Sequence, residues 1–307
     1  MLRSNQLKKG KKVLVVKKWW VLMVSAIIIL NACSQQQSSK NNTTDTTTNV
    51  KTIKERKLPN IQHIVIVVEE NHAKQQIIGN SSAAYMNSLA AQGANFTNYH
   101  AIEHPSQPNY LDLFSGSNQG VTDDRKPITK FVSANLASEL LNSNHSFTGY
   151  AEDLPSIGFD GESYKDYARK HSPWTNFTNV SKKANQPFSL FPKDFHQLPT
   201  VSFVIPNLQH DMHNGTIKEA DEWLKRNLDA YVKWAKTNNS LLIVTWDEDD
   251  TAHDNRIPTF FVGPMVKPGP YDENVNHFNL LRTIEDIYSL SHAGASNSVE
   301  PIVNIWK

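Results

Sequence analysis

The sequence predicts an α/β domain: a three-layer α/β/α sandwich around a mainly parallel sheet. Three observations carry this. Apolar, β-branched runs at 61–69, 200–205 and 240–246 lack polar alternation, the pattern of strands buried on both faces. Helical patterns lie between these runs, as βα alternation requires. The stretch 58–307 has the length of one compact enzyme domain.

In chain order, residues 1–33 read as an export signal. Seven Lys/Arg fall within the first 18 residues, and Trp19–Leu30 is a 12-residue apolar run. That run suits a signal peptide and is short for a spanning helix, which needs about 20 residues. It stops at Leu30-Asn31-Ala32-Cys33, similar to a lipobox, so Cys33 is expected to be acylated and to become the mature N-terminus. The alternative is a cysteine closing an uncleaved anchor helix. Either way the domain is expected outside the cytoplasm, held to a membrane of the bacterial cell envelope. Cys33 is the only cysteine, so no intrachain disulfide forms. Residues 34–57 are rich in Ser, Thr, Asn and Gln and read as a flexible tether.

The domain at 58–307 opens with a strand at 61–69. A helix at 82–92 follows, with Gly93 as its expected C-cap, then a helix from Ser106 to Phe114 before Gly116. A helix at 133–141 and a strand at 146–150 come next. Residues 153–199, rich in aromatics and prolines, read as a cap or long loops. A strand at 200–205, a long helix at 217–236, strands at 240–246 and 258–262 and a helix at 278–290 complete the chain. Beyond the basic N-terminus the balance is acidic, which argues against nucleic acid as a partner. An anionic substrate remains compatible if a metal supplies local positive charge.

Function gathers where parallel strands end, and the polar clusters stand there. One strand runs into Glu69-Glu70-Asn71-His72, one leads to Asn207 and His210-Asp211-Met212-His213, and one ends in Asp247-Glu248-Asp249-Asp250. Such oxygen and nitrogen donors suit a divalent cation, which also explains crowded carboxylates that would otherwise repel. Between the first two clusters lies His104-Pro105-Ser106-Gln107-Pro108-Asn109-Tyr110. Ser106 opens a predicted helix, where N–H groups and the helix dipole favour an anion. A serine there, touching a metal, can attack phosphorus.

These pieces resemble the phosphoesterase family of secreted acid phosphatases and phosphatidylcholine-type phospholipases C, within the alkaline phosphatase superfamily. The resemblance rests on Val68–His72, Ala94–Tyr99, His104–Tyr110, Pro206–Leu208, His210–His213, Asp221–Leu224, Thr245–Glu248, Arg256–Pro258, and His277 with Leu281–Glu285, in family order over roughly 61–290. The loop at 249–256 departs from the family in lacking glycine. The resemblance implies an alkaline-phosphatase-like fold, with Ser106 as nucleophile and Glu70, Asn71, Ser106, Asp247 and Glu248 around a divalent metal ion of unspecified identity and number. It also implies that His210, Asp211 and His213 hold the phosphate or a second metal, with His210 and His213 in catalysis and Asp211 near the substrate beside Asn71 and His277, while His104 is expected either to touch substrate or to shape the turn.

Each residue also has a plainer reading. Ser106 could be a helix cap, Glu70-Asn71 a loop, and His210, His213 and His277 ordinary surface histidines. Asp249 and Asp250 are expected to be exposed. Trp174, Trp223 and Trp246 are read as packing. His63, His100, His145, His171, His196, His253 and His292 are assigned no role. The expected activity is that of an acid phosphatase, cleaving phosphate monoesters through a phosphoserine. The expected partners are a small phosphate ester or a phospholipid head group, and the membrane through the lipid anchor. The alternatives are a phospholipase C-type phosphodiesterase and a non-enzymatic surface lipoprotein that kept the fold.

Overall fold

The computed structural model of the protein describes residues 58–307. The readings of Cys33 and of the 34–57 tether lie outside those residues. Among the described residues, no helix is long and apolar enough to cross a membrane.

The chain enters on β1 (His63–Glu69) and passes through α1 (Lys74–Ile77) to α2 (Ala84–Gln92). Strands β2 (Ala94–Phe96) and β3 (Tyr99–His100) lead into α3 (Ser106–Ser115), and α4 (Leu136–Asn142) precedes β4 (Phe147–Ala151). A small hairpin follows, β5 (Ser163–Tyr164) and β6 (Tyr167–Ala168), then β7 (Asn185–Pro187) and β8 (Val201–Ile205). The long α5 (Ile217–Ala235) leads to β9 (Ser240–Trp246) and β10 (Thr259–Val262). The chain closes through β11 (Gly269–Tyr271), β12 (Val275–Asn276) and α6 (His277–Ile287).

Eight strands form one sheet in the order β11-β2-β10-β9-β1-β8-β4-β7. Pairing is parallel from β9 through β7, and β10 is antiparallel to both of its neighbours. The sheet is therefore mainly parallel, as expected. Helices α2 and α5 pack together, as do α3 and α6, which gives the α/β/α sandwich. The core under α3 is aromatic: Phe114 meets Phe147, Phe177 and Phe203 with ring centroids 5.4–5.9 Å apart.

Local chemistry explains the differences in helix bounds. α4 starts at Leu136 because Asn135 caps the N–H of Ser138, which answers with its own hydroxyl. α6 starts at His277 because Asn276 accepts from the N–H groups of Phe278 and Asn279. Gly116 takes the left-handed conformation that ends α3, with φ 65°. Gly93 stands at the C-cap of α2 as expected, but in extended backbone with φ −128° and not in the left-handed cap conformation. A Cβ there would lie 2.0 Å from the Phe261 carbonyl oxygen, so glycine lets the chain after α2 run against β10.

Candidate active site

The register of the sheet builds the site. Glu69 and Trp246 are paired residues at the ends of β1 and β9, so Glu70 and Asp247 leave the sheet side by side. The Asp247 N–H donates to the Glu69 carbonyl (3.0 Å), and the Glu70 N–H donates to the Asp211 carbonyl (2.8 Å) in the loop after β8. Two residues here hold left-handed backbone: Asn71 with φ 55° and Met212 with φ 77°. Asparagine tolerates that conformation, whereas methionine rarely adopts it. The turn at Met212 lets the His213 N–H reach back to Asp211 Oδ1 (2.8 Å).

Ser106 is the first residue of α3 and is nearly fully buried. Its Oγ lies 3.1 Å from Glu70 Oε2 and 3.2 Å from Glu248 Oε1. Glu248 Oε2 lies 2.7 Å from His104 Nδ1. The Asn71 N–H donates to Asp247 Oδ1 (3.2 Å), and its side-chain amide donates to Glu70 Oε2 (3.2 Å).

Glu70 faces two ways. Its second oxygen, Oε1, accepts from the Tyr110 hydroxyl (2.6 Å) and lies 3.0 Å from His171 Nε2. The opposite His171 nitrogen, Nδ1, lies 3.3 Å from Asp211 Oδ2. Neither imidazole contact is aligned as a hydrogen bond. Ligand atoms of Glu70, His171 and Asp211 all fall within 4.8 Å of one another, and all three residues are buried. Two donor sets that could hold a cation thus share Glu70. One comprises Glu70, Asn71, Ser106, Asp247 and Glu248. The other comprises Glu70, His171 and Asp211.

The electrostatics fit a site built for positive charge. Burial and the neighbouring Glu70 and Glu248 carboxylates push Asp247 far above the usual carboxylate range. Glu248 is raised to about 7, chiefly by burial. Burial opposes ionisation of Glu70 too, but the His171 cation outweighs it and holds Glu70 at about 2. Burial likewise disfavours charge on His171, and the Glu70 and Asp211 carboxylates overcome it, raising the ring to about 9. Asp247 Oδ2 and both oxygens of Glu69 are buried without a hydrogen-bond partner. Carboxylate oxygens without donors are the chemistry of a metal site, so the residues present fit a divalent cation.

The Phosphoesterase family model matches residues 80–291. A phosphatidylinositol-3-phosphatase of Mycobacterium tuberculosis is 52% identical over 251 residues, covering 81% of this chain and 84% of that one. The chain belongs to the phosphoesterase family. It is a hydrolase of phosphoric ester bonds. A phosphate-repressible acid phosphatase of Penicillium chrysogenum is 34% identical over 229 residues, covering 68% of this chain and 55% of the fungal one. A solved protein of the alkaline phosphatase superfamily from Vibrio parahaemolyticus superposes with a TM-score of 0.54 at 14% identity, covering 77% of this chain and 69% of that one. At that identity the likeness speaks for the fold.

Within this phosphoesterase the expected residues divide. Glu70, Asn71, His104, Ser106, Asp211, Asp247 and Glu248 converge as described. His213 sits at the rim, 3.2 Å from Lys170 Nζ. His210 points elsewhere: its Nδ1 lies 2.8 Å from Glu152, its ring stacks on Trp223, and it makes no hydrogen bond with Ser106, Glu70 or Asp247. His277 is fully buried rather than facing substrate. Its Nε2–H donates to the Asp247 carbonyl (3.1 Å), and its Nδ1 accepts from the Tyr99 hydroxyl (3.2 Å). Burial lowers it to about 4, in keeping with the neutral ring. The ring therefore positions Asp247.

The helix N-terminus is also partly claimed from within. The Gln107 N–H donates to Asp124 Oδ1 (3.0 Å), and Asp124 Oδ2 accepts from Lys170 (2.8 Å). Asp249, expected to be exposed, is not, whereas Asp250 stays at the surface. Asp249 is buried and accepts from the N–H groups of Thr251, His253 and Asn255, and Asp250 pairs with His253 at 2.6 Å. That loop turns through positive φ at Thr251, Asp254 and Asn255 instead of glycine. The sequence reading also passed over Lys170 and His171. The available signal was the Arg169-Lys170-His171 triplet in an otherwise acidic domain, because buried carboxylates need a counter-charge.

Proposed function

We propose that the protein is a metal-dependent phosphomonoesterase in which Ser106 attacks phosphorus and carries the phosphoryl group as a phosphoserine before water releases it. The observation that carries this reading is Ser106 Oγ held between Glu70 and Glu248, at 3.1 and 3.2 Å, at the start of α3. A helix cap has no use for two buried carboxylates around its hydroxyl. Glu70, Asn71, Asp247 and Glu248 would hold a divalent cation beside Ser106, and His277 would fix Asp247 from behind. When bound, the cation supplies the positive charge that lowers the cost of ionising the serine and of crowding phosphoryl oxygens against carboxylates. Lys170 and His213 stand at the rim, where they can offset charge on the same oxygens.

A relative named for phosphatidylinositol 3-phosphate cleavage, at 52% identity, supports a lipid head-group monoester as substrate. The fungal relatives support small phosphate monoesters. The same reading has the enzyme held outside the cytoplasm by an acylated Cys33, supported by the basic start and the Leu30–Cys33 stop of the apolar run.

The test is direct. Ser106→Ala should lower turnover of p-nitrophenyl phosphate by at least about 100-fold, the scale of losing a nucleophile. Vanadate binding should survive, acid quench with a labelled ester should trap label on Ser106, and a chelator should abolish activity that a divalent cation restores. Near-normal turnover by the alanine variant, label on another residue, or full activity without metal would reject the reading.

A further inference from the structure

We propose that the rim of the site formed by residues 123–132 and the β5–β6 hairpin is a docking surface for an anionic lipid bilayer. The proposal rests on the reading of the substrate as a phosphate ester that includes lipid head groups.

The first observation is exposure. Ile128 is 102% exposed, Val132 79%, Ile157 52% and Tyr164 45%. Each apolar side chain left in water forgoes the gain of burial, and clustered instances mark an interaction surface. The second is that the surrounding structure holds these residues together. Lys126 donates to the Asp160 carbonyl (2.6 Å) and Lys130 pairs with the Asp160 carboxylate (3.1 Å), so the loop is pinned on both sides of Ile128. Arg169 holds the same carboxylate from below at 2.9 Å. Phe131 packs on Phe177, which fixes the backbone next to Val132. Phe159 packs against Tyr164 and Tyr167, which ties the hairpin to the segment carrying Ile157.

The third observation is charge. Residues 58–307 carry 19 Lys/Arg against 28 Asp/Glu. The segments 123–132, 157–170 and 181–184 reverse this, with eight Lys/Arg against five Asp/Glu. Apolar tips set among lysines match an anionic membrane. The tips enter the acyl boundary while the lysine stems lie along it and keep their charge at the head groups. A protein partner would be met by an apolar centre with a polar rim instead. The fourth observation is continuity with the site. Arg125, Lys126 and Lys170 line an open cleft with Gln107, the residue after Ser106. A head group drawn from a docked bilayer enters beside Lys170 without leaving the basic rim.

The test uses the full-length protein and two readouts. With vesicles of phosphatidylcholine, phosphatidylserine and phosphatidic acid, the double variant Ile128→Asp/Val132→Asp should lower phosphatidic acid hydrolysis by about tenfold. It should leave p-nitrophenyl phosphate and monomeric dihexanoyl phosphatidic acid unaffected. In an otherwise intact chain, Ile128→Trp should be quenched by vesicles carrying brominated acyl chains more than wild-type tryptophan is. Equal loss on soluble substrates, no loss on vesicles, or no added quenching would overturn the proposal. A dimer in sedimentation that the double variant dissolves would assign the surface to a second copy and overturn it too. If no ester is hydrolysed while the Ile128→Trp quenching persists, the phosphatase reading falls and the docking surface stands.

Discussion

Two kinds of buried carboxyl group share this molecule. Away from the site, Asp221 and Glu285 are matched by donors on both oxygens, and Asp112 on α3, whose Oδ2 has no partner, is the exception. Asp221 on α5 accepts from the N–H groups of Tyr85 (3.0 Å) and Met86 (2.8 Å). Glu285 on α6 accepts from the Ala293 N–H (2.8 Å) and the Ser296 hydroxyl (2.6 Å). At the strand ends the matching fails. Glu69 has no donor on either oxygen, Asp247 and Asp211 each leave one oxygen unmatched, and the buried counter-charge is His171. A fold left to itself satisfies its buried polar atoms. Groups left unsatisfied at one edge mark where something other than the chain is expected to bind, and the comparison can be broken by experiment.

The largest expected effect is at His171. Removing one partner of a buried ionic set leaves the others uncompensated, at a cost of about 3–5 kcal/mol. His171→Ala should therefore lower stability by that amount in chelator-treated protein, and added divalent cation should recover part of it. Denaturant unfolding with and without cation checks this. An unchanged midpoint would mean that Glu70 and Asp211 draw no support from the imidazole.

A smaller effect should change sign between the two classes. In metal-free protein, Asp221→Asn keeps an acceptor oxygen for one N–H but turns its NH2 group against the other, so it should destabilise by about 1–3 kcal/mol. Asp247→Asn removes a carboxyl group that leaves one oxygen unmatched among crowded carboxylates, and keeps an oxygen for the Asn71 N–H, so it should be neutral or stabilising by about 1 kcal/mol while abolishing metal binding and turnover. If both substitutions destabilise alike, the distinction between the classes is wrong.

The strand ends were legible because apolar runs stop abruptly there, and the polar residue after each stop is placed by the pleat. Glu70 and Asp247 follow from that logic alone, whereas Ser106 was legible only from its place at a helix start together with the family resemblance. The direction of β10 was not legible. Residues 247–258, which separate it from β9, form a loop tied around Asp249 instead of a crossover helix, and the strand returns antiparallel. Residues 153–199 carry neither a strand nor a helix period. Their short 3-10 turns, the edge strand β7, and the placement of Lys170 and His171 depend on distant contacts. Asp249 and Asp250 read alike in sequence, and only the loop's own N–H groups make one of them a buried acceptor. His277 and Gly93 show the converse: the residues were singled out, but packing decides their roles.

The smallest effect concerns pH and uses Glu285, a matched carboxyl far from any proposed ligand. Burial raises it from 4.5 to about 7, against the lowering by its Ser296 and Ala293 hydrogen bonds. The folded protein therefore binds this proton more tightly than the unfolded chain does. Between pH 4.5 and 7 the folded state holds more protons, so stability falls as pH rises. The contribution is fully present below about 4.5 and lost once pH passes about 7. The shift alone would give roughly 3 kcal/mol, and local rearrangement around the charged form reduces this to about 1–2 kcal/mol. Glu285→Gln removes the titration. Its amide can donate to Ser296 Oγ, whose single O–H then turns from Glu285 to its other acceptor, the Ala293 carbonyl at 2.8 Å, while the amide oxygen keeps the Ala293 N–H. The variant should gain about 1–2 kcal/mol relative to wild type on going from pH 5 to pH 8. Unfolding curves for both proteins at the two pH values isolate the term, because every other titrating group is common to them. A difference that does not change with pH would show that Glu285 is ionised in the folded state at both values, and that hydrogen bonds at its two oxygens suffice to hold a buried charge in this fold.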